Sequence, residues 1–402
     1  QDPTFAKIVS AGTATGTGAG VFRYAPPSGY LALCTANLPE PVIGPNSGTN
    51  EQADDYFGIS LYSGDNSVLS ISDLNFQPDL VWIKRRNADG HGHMWQDSTR
   101  GSSKYLNSTT TGAEGNKDWF RSFDDDGFTV SRSTTGGETT SEWNTSGGTY
   151  IAYNWKANGG TTTTNDASST GVGSIDSVYQ ANTTAGFSIV TYTGTGSAGS
   201  IAHGLGAVPK MIITKTRSHT GDWMVYHGAN TSAPQTDFLK LNATNATEDL
   251  NTVWNDTAPT SSVFTLGSNG DVNTSGRTQV AYCFAEVEGY SKFGSYTGND
   301  ATDGTFVYTG FSPAYVILKY SSGTAGGTKN WLLFDNKRDT SNPNDDTFNV
   351  NTADGETADS NKDIDFLSNG FKLRNAEGAV NNAAVYIYIA FAEAPFKYAN
   401  AK

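Results

Sequence analysis

The chain has 402 residues, a formal net charge of -14, 36% hydrophobic and 12% aromatic residues, 45 Gly and 2 Cys. At about 150 residues per domain this length accommodates two to four domains, and a composition rich in aromatics and poor in charge excludes an intrinsically disordered chain. The acidity argues against nucleic acid as a partner, and no apolar run nears the roughly 18 residues of a membrane-spanning helix.

Residues 1-55 come first and differ from the rest. Gln1-Asp2-Pro3-Thr4-Phe5 has no initiator Met and no leader pattern, as at a processed or internal start. One aromatic cluster, Phe22 to Pro39, is followed by a Pro/Gly/Asn-rich stretch. Such a segment makes a poor core of its own, so it reads as an N-terminal extended arm or the remnant of a preceding β-sandwich. Cys34 and Cys283 lie far apart with no metal-binding spacing, so neither a disulfide framework nor a zinc site is indicated. The redox state of both stays open.

Three repeats follow. Tyr62-Ser63-Gly64, Tyr192-Thr193-Gly194 and Tyr296-Thr297-Gly298 precede Pro78, Pro209 and Pro313 by 16, 17 and 17 residues, counted from each Tyr. Each Pro opens an apolar run ending six residues later in Lys84, Lys215 or Lys319. The β-branched and aromatic content of these runs predicts buried strands. A second predicted strand holds His93 to Asp97, Trp223 to His227 and Trp331 to Asp335. Asp126-Gly127, Asn269-Gly270 and Asn369-Gly370 then signal type I′ hairpins. Each unit closes on an apolar strand, at Tyr150 to Trp155, Gln279 to Phe284 and Tyr386 to Phe391. With no helical periodicity, the pattern predicts an all-β chain of tandem antiparallel β-sandwich or jelly-roll domains. The expected boundaries are 56-158, 186-288 and 290-398, with the Gly/Thr/Ser-rich stretch 159-185 as a linker or long loop.

These residues carry a resemblance. Phe22 to Pro39 resembles the segment that closes SPRY-type β-sandwich domains in large virion proteins of marine tailed phages. The repeats, with Phe76 to Lys84, Asp97 to Gly101 and Phe284 to Tyr290 as the strongest carriers, resemble the uncharacterised tandem β-domain that follows it there. Repeat 2 departs from the pattern, with His227 in place of an Asp and Asp271 in place of a Phe. The resemblance implies a tail fibre, appendage or other virion surface component without enzymatic chemistry.

Candidate sites can be weighed on chemistry. Asp124-Asp125-Asp126 supplies hard oxygen ligands for Ca2+, but it falls at the predicted hairpin and reads more simply as a solvated turn. His91 and His93, two residues apart, would share a strand face and in a threefold assembly could gather a metal, yet His93 aligns with Trp223 and Trp331, which favours a packing role. Asp97 and Asp335 are the best carboxylates for a polysaccharide-degrading enzyme, but each recurs three residues before an Arg, Arg100 or Arg338, as structural ion pairs do. Trp119, Trp143 and Trp254 lie in polar loops and are the predicted ligand-binding residues, on the expectation that loop aromatics stack on sugar rings. The alternative for them is that they plug the ends of their own sandwiches. No cofactor, metal or catalytic set is predicted.

The expectation for function is a non-enzymatic virion surface protein, exposed or extracellular. It would self-associate as a trimer or filament, bind other virion proteins and contact host-surface glycans, without nucleic acid or membrane insertion. The alternatives are a virion-associated polysaccharide-degrading enzyme, or a filament subunit assembled by strand addition from the arm.

Overall fold

The computed structural model describes residues 42-44, 51-131 and 142-392. The arm residues Phe22 to Pro39 and Cys34 lie outside them.

Repeat 1 comprises β1 (Phe57–Ser63), β2 (Leu69–Ile71), β3 (Leu80–Arg85), β4 (Met94–Asp97), β5 (Lys104–Asn107), β6 (Gly115–Asn116), β7 (Phe120–Asp124), β8 (Gly127–Val130) and β9 (Thr149–Trp155). Its large sheet runs β1-β9-β3-β4-β5-β6 and its small sheet β2-β8-β7. Repeat 2 comprises β10 (Thr163–Asn165), α1 (Ala167–Thr170), β11 (Ser177–Asn182), β12 (Phe187–Thr193), β13 (Gly199–Ala202), β14 (Pro209–Thr216), β15 (Met224–His227), β16 (Asp237–Lys240), β17 (Glu248–Asp249), α2 (Asn251–Trp254), β18 (Val263–Leu266), α3 (Gly270–Asn273) and β19 (Thr278–Ala285). Repeat 3 comprises β20 (Ser291–Thr297), β21 (Phe306–Tyr308), β22 (Pro313–Gly323), β23 (Leu332–Asp335), β24 (Asp346–Asn349), β25 (Thr357–Ala358), β26 (Ile364–Leu367), β27 (Gly370–Leu373) and β28 (Ala384–Ala392). Its sheets, β20-β28-β22-β23-β24-β25 and β21-β27-β26, repeat the order of repeat 1 strand for strand. The all-β sandwich class read from the sequence is the class observed.

Repeat 2 differs in two places. The stretch 159-185, expected as a linker, instead supplies β10 and β11, which extend the second large sheet to β10-β11-β12-β19-β14-β15-β16-β17. Its Thr and Ser content is that of a strand at a sheet margin, where side chains stay partly hydrated. The second difference is at Asn269-Gly270. In repeats 1 and 3 the residue after the turn glycine is Phe128 or Phe371, fully buried on the middle strand of the small sheet. Repeat 2 has Asp271 there, which cannot be buried between sheets without a partner. The chain makes the short helix α3 instead, capped by the Asn269 side chain accepting from Asp271 N–H at 2.9 Å, and buries Val272. β13 then pairs directly with β18. The type I′ expectation fails as well, since none of Asp125, Asp126, Ser368 or Asn369 has a positive φ. Gly127 and Gly370 are required by close approach: a Cβ would lie 1.8 Å from Ile71 O and 2.1 Å from Val307 O, respectively.

The central strands of the large sheets, β3 and β9, β14 and β19, β22 and β28, are mainly apolar because both of their faces are covered. On β3, Val81 and Ile83 face the sandwich interior with Phe128 and Trp143, whereas Leu80 and Trp82 face a second core. On β19, Ala281 and Cys283 face their own sandwich, and Val280, Tyr282 and Phe284 face that second core. It is a single cluster shared by all three repeats. Trp82, Trp95 and Trp155 of repeat 1, Met211 and Phe284 of repeat 2, and Tyr315 and Phe391 of repeat 3 surround a cavity of only about 20 Å³ at its centre. The repeats are therefore one closed body rather than domains in a row.

Candidate functional site

The Tyr-x-Gly motif fixes each repeat internally. Tyr62, Tyr192 and Tyr296 donate their hydroxyls to the carbonyls of Trp143, Val272 and Val380 at 2.8, 2.8 and 2.6 Å. The following glycines admit the same loop, since a Cβ on Gly64, Gly194 or Gly298 would sit 2.3, 2.3 or 2.0 Å from a loop carbonyl oxygen. A buried Asn after each loop residue, Asn144, Asn273 or Asn381, accepts a backbone N–H from the chain beyond the motif. This loop decides the fate of Trp143, which occupies the position of Val272 and Val380.

All three predicted ligand-binding tryptophans are core residues. Trp143 is 1% exposed, packs at 4.8 Å from Trp119 and 5.2 Å from Tyr105, and, with the Gln96 amide turned to accept, donates to it at 2.6 Å. Trp119 is buried in the same cluster, and Trp254 lies under the second sandwich at 6.0 Å from Tyr226. The expectation of a sugar-stacking surface at these residues is overturned by their burial. An aromatic removed from water contributes about 1.5–3 kcal/mol to stability, which outweighs the polar character of the flanking residues.

The repeated polar residues converge instead on three seams, which close a ring from repeat 1 to 2, 2 to 3 and 3 to 1. At the first, Asp97 takes Arg100 Nε–H at 2.5 Å and the Tyr282 hydroxyl at 2.8 Å, while Arg100 also reaches Glu114. Glu114 holds Arg217 of repeat 2 through two parallel bonds of 2.7 and 3.0 Å. The third seam has the same parts: Asp335 takes Arg338 at 2.5 Å and the Tyr153 hydroxyl at 2.8 Å, and Glu356 holds Arg86 at 2.8 and 3.0 Å. Burial, the largest single influence, opposes the charge of Arg100 and Arg338, but Asp97 with Tyr282 and Glu114, and Asp335 with Tyr153 and Glu356, together outweigh it and hold both guanidiniums above their ordinary range. Two-point Arg–carboxylate bonds of this kind fix relative orientation as well as distance.

At the second seam the positions of the acid–arginine set are held by neutral groups. His227 stands where the others have Asp, Asn230 where they have Arg, Thr247 where they have Glu, and Ser321 where they have Arg. His227 Nδ1 accepts from Ala229 N–H and Nε2–H donates to Tyr388 O, both at 3.2 Å. Thr247 and Ser321 each donate to Asn230 Oδ1 at 2.7 Å. The tyrosine partner is gone too, since Ile389 occupies the place of Tyr153 and Tyr282 on the last strand. Burial pushes the His227 imidazole down to about 4.

The lysine ending each central strand bridges a seam as well. Lys84, Lys215 and Lys319 are wholly buried, and each ammonium donates to one carbonyl of its own repeat (His91, Gly221, Lys329) and one of a neighbour (Ala353, Thr111, Ala243). Burial lowers them to about 8, about 8 and about 7. The next strand adds Trp223 Nε1–H donating to Asn107 O and Thr110 O at 3.2 Å, and Trp331 Nε1–H donating to Lys240 O at 2.9 Å. In repeat 1 the corresponding His93 accepts from Trp82 Nε1–H at 2.9 Å and lies edge-on to Phe348 of repeat 3. His91 does not join it: its ring is directed to Arg85 and Glu142. Asp124 accepts from Thr129 beside the hairpin. Among the described residues no three His, Cys, Asp or Glu side chains gather around a point that could hold a metal.

The seam partners missed in the sequence are Glu114, Arg217, Glu356, Arg86 and the two tyrosines. The spacing Lys84-x-Arg86 and Lys215-x-Arg217, broken by Ser321 in repeat 3, is the trace that would have found the arginines. Open grooves of about 610 and 520 Å³ on repeats 2 and 3 are lined mainly by Thr, Ser, Asn and Asp.

No curated protein and no solved structure matches the chain. A single family model covers residues 52–395, all three repeats at once, as expected of repeats that share one core. The chain belongs to the family described as a domain of unknown function, DUF7483.

Proposed function

We propose that this is a non-enzymatic structural protein of a virion surface, a tail fibre or appendage component that contacts host-surface glycans. The observation that supports it best is the placement of the repeated polar residues: Asp97, Asp335, Arg100, Arg338 and the three lysines are buried in seams that hold the repeats as one body. Repetition of charged residues here serves rigidity, which a surface appendage needs and a catalytic cleft does not explain. The threefold character sought in self-association is already present within one chain, so association with a threefold symmetric partner protein fits this reading as well as a trimer of the chain.

The test is to incubate the full chain with host cell envelopes and purified surface polysaccharide, measuring bound protein and released reducing ends. Binding without release supports the proposal. Release of sugar that Asp335→Asn abolishes while the fold persists overturns it in favour of the degrading enzyme.

A further inference from the structure

The outward faces of the small sheets of repeats 1 and 3 differ on their edge strands β2 and β21. On β21 of repeat 3, alternation buries Val307 and turns Phe306 and Tyr308 outward, where they are 44% and 63% exposed. In repeat 1 the register places Ile71 opposite Phe128 as Val307 lies opposite Phe371, so Ser70 and Ser72 hold the two outward positions. Two serines in one copy and two aromatics in the other, on equivalent edge strands, is a difference that folding does not require. Elsewhere the exposed large apolar residues, such as Leu61, Val208 and Leu250, lie on separate elements, as is ordinary on any protein surface.

We infer that Phe306 and Tyr308 form a platform for a neutral carbohydrate chain. Residues two apart on a strand are about 7 Å apart and point the same way. The rings are backed by residues without side chains: a Cβ on Gly370 would meet Phe306 at 3.2 Å, and one on Gly310 would meet Tyr308 at 3.6 Å. Aromatic faces carry partial negative charge that attracts the C–H faces of sugar rings, and the Tyr308 hydroxyl supplies a hydrogen bond. The rim is charge-balanced, with Lys372 paired to Asp303 and Arg374 to Asp365 at 3.4 Å. A balanced rim on a chain of net charge -14 favours a neutral glycan over an anionic one.

This inference rests on the glycan-contacting reading above, and the experiment separates the two. The full chain is run by affinity electrophoresis in gels containing β-glucan, mannan or galactan, with alginate as the anionic control, and is assayed for host-envelope binding and for mass across concentration. Phe306→Ser and Tyr308→Ser install the side chain of repeat 1, and unchanged thermal unfolding verifies their fold. The expected result is retardation by a neutral polysaccharide that either variant weakens at least tenfold, with no retardation by alginate. Retardation that survives both variants overturns the platform and leaves glycan contact standing. Absence of binding to every polysaccharide and to host envelopes overturns both. A concentration-dependent dimer abolished by Tyr308→Ser overturns the platform in favour of a second copy of this chain on that edge.

Discussion

The first and third seams hold the ring with buried charge, and the second holds it with a histidine, an asparagine and two hydroxyls. The difference teaches that closure is set by the shared apolar core, while the polar groups above it specify which repeat meets which. A buried ion pair is a poor source of net stability, because desolvation cancels most of the attraction. Removing one of its partners is another matter, since the survivor remains charged and buried.

The largest expected effect follows from that asymmetry. Asp335→Asn or Asp97→Asn takes from a buried guanidinium its nearer carboxylate, leaving only Glu356 or Glu114, and lowers stability by about 3–5 kcal/mol, whereas Asn230→Ala at the second seam costs about 1–3 kcal/mol. Denaturant unfolding of the three variants orders them, and equal losses would remove the distinction between the seams.

Acid probes the second seam next. His227 sits near 4 in the folded chain against 6.5 free, so between those values the unfolded chain binds more protons, and stability is full above pH 6.5 and falls as pH drops toward 4. That shift corresponds to about 3 kcal/mol. His203 titrates in the same window, lowered to about 4 by burial, and burial also holds His93 well below its ordinary range. His227→Asn therefore flattens only part of the acid limb, and an unchanged limb in this variant refutes the assignment.

Alkali acts on all three seams through the lysines, with Lys319 the most displaced. Lowered from 10.5 to about 7, it loses its proton in the folded chain first, so stability grows as pH rises from 7 to 9, by about 2 kcal/mol from this residue. Its neutral amine can still donate to both carbonyls. Lys319→Met should erase that rise in urea midpoints measured across the range. The smallest effect belongs to the motif inside each repeat: Tyr296→Phe removes one buried hydrogen bond and costs about 1 kcal/mol, read at neutral pH as a small shift in thermal midpoint.

Class and repetition were legible in the sequence because a strand buried on both faces leaves an uninterrupted apolar run, as at Tyr315 to Leu318. The run also implies a second core on the far side of each large sheet, and the reading of tandem sandwiches leaves that mutual packing open. Hairpins were legible in repeats 1 and 3 but not in repeat 2, where the single exchange of Phe for Asp271 redirects the chain into α3. The tryptophan loops misled because polarity was judged from neighbours in sequence, whereas the burial of Trp143 is set by its alignment with Val272 and Val380. The recurring Asp–Arg spacing, read as an ion pair, is an ion pair in the structure in both repeats. Of the partners of these pairs across the seams, Arg86 and Arg217 leave a trace in the Lys-x-Arg spacing, whereas Glu114 and Glu356 follow loops of different length and leave none.

The shared core also bears on valency. What the three copies have in common faces inward, at the equivalent apolar positions Trp82, Ile213 and Ile317, while the outward small sheets of repeats 1 and 3 diverge, with serines on one and aromatics on the other. Three copies of a sandwich in one chain thus do not give three copies of a contact surface. Among the described residues the aromatic strip of Phe306 and Tyr308 occurs once, so if it is a contact surface, multiplication of weak contacts would come from the number of chains placed side by side.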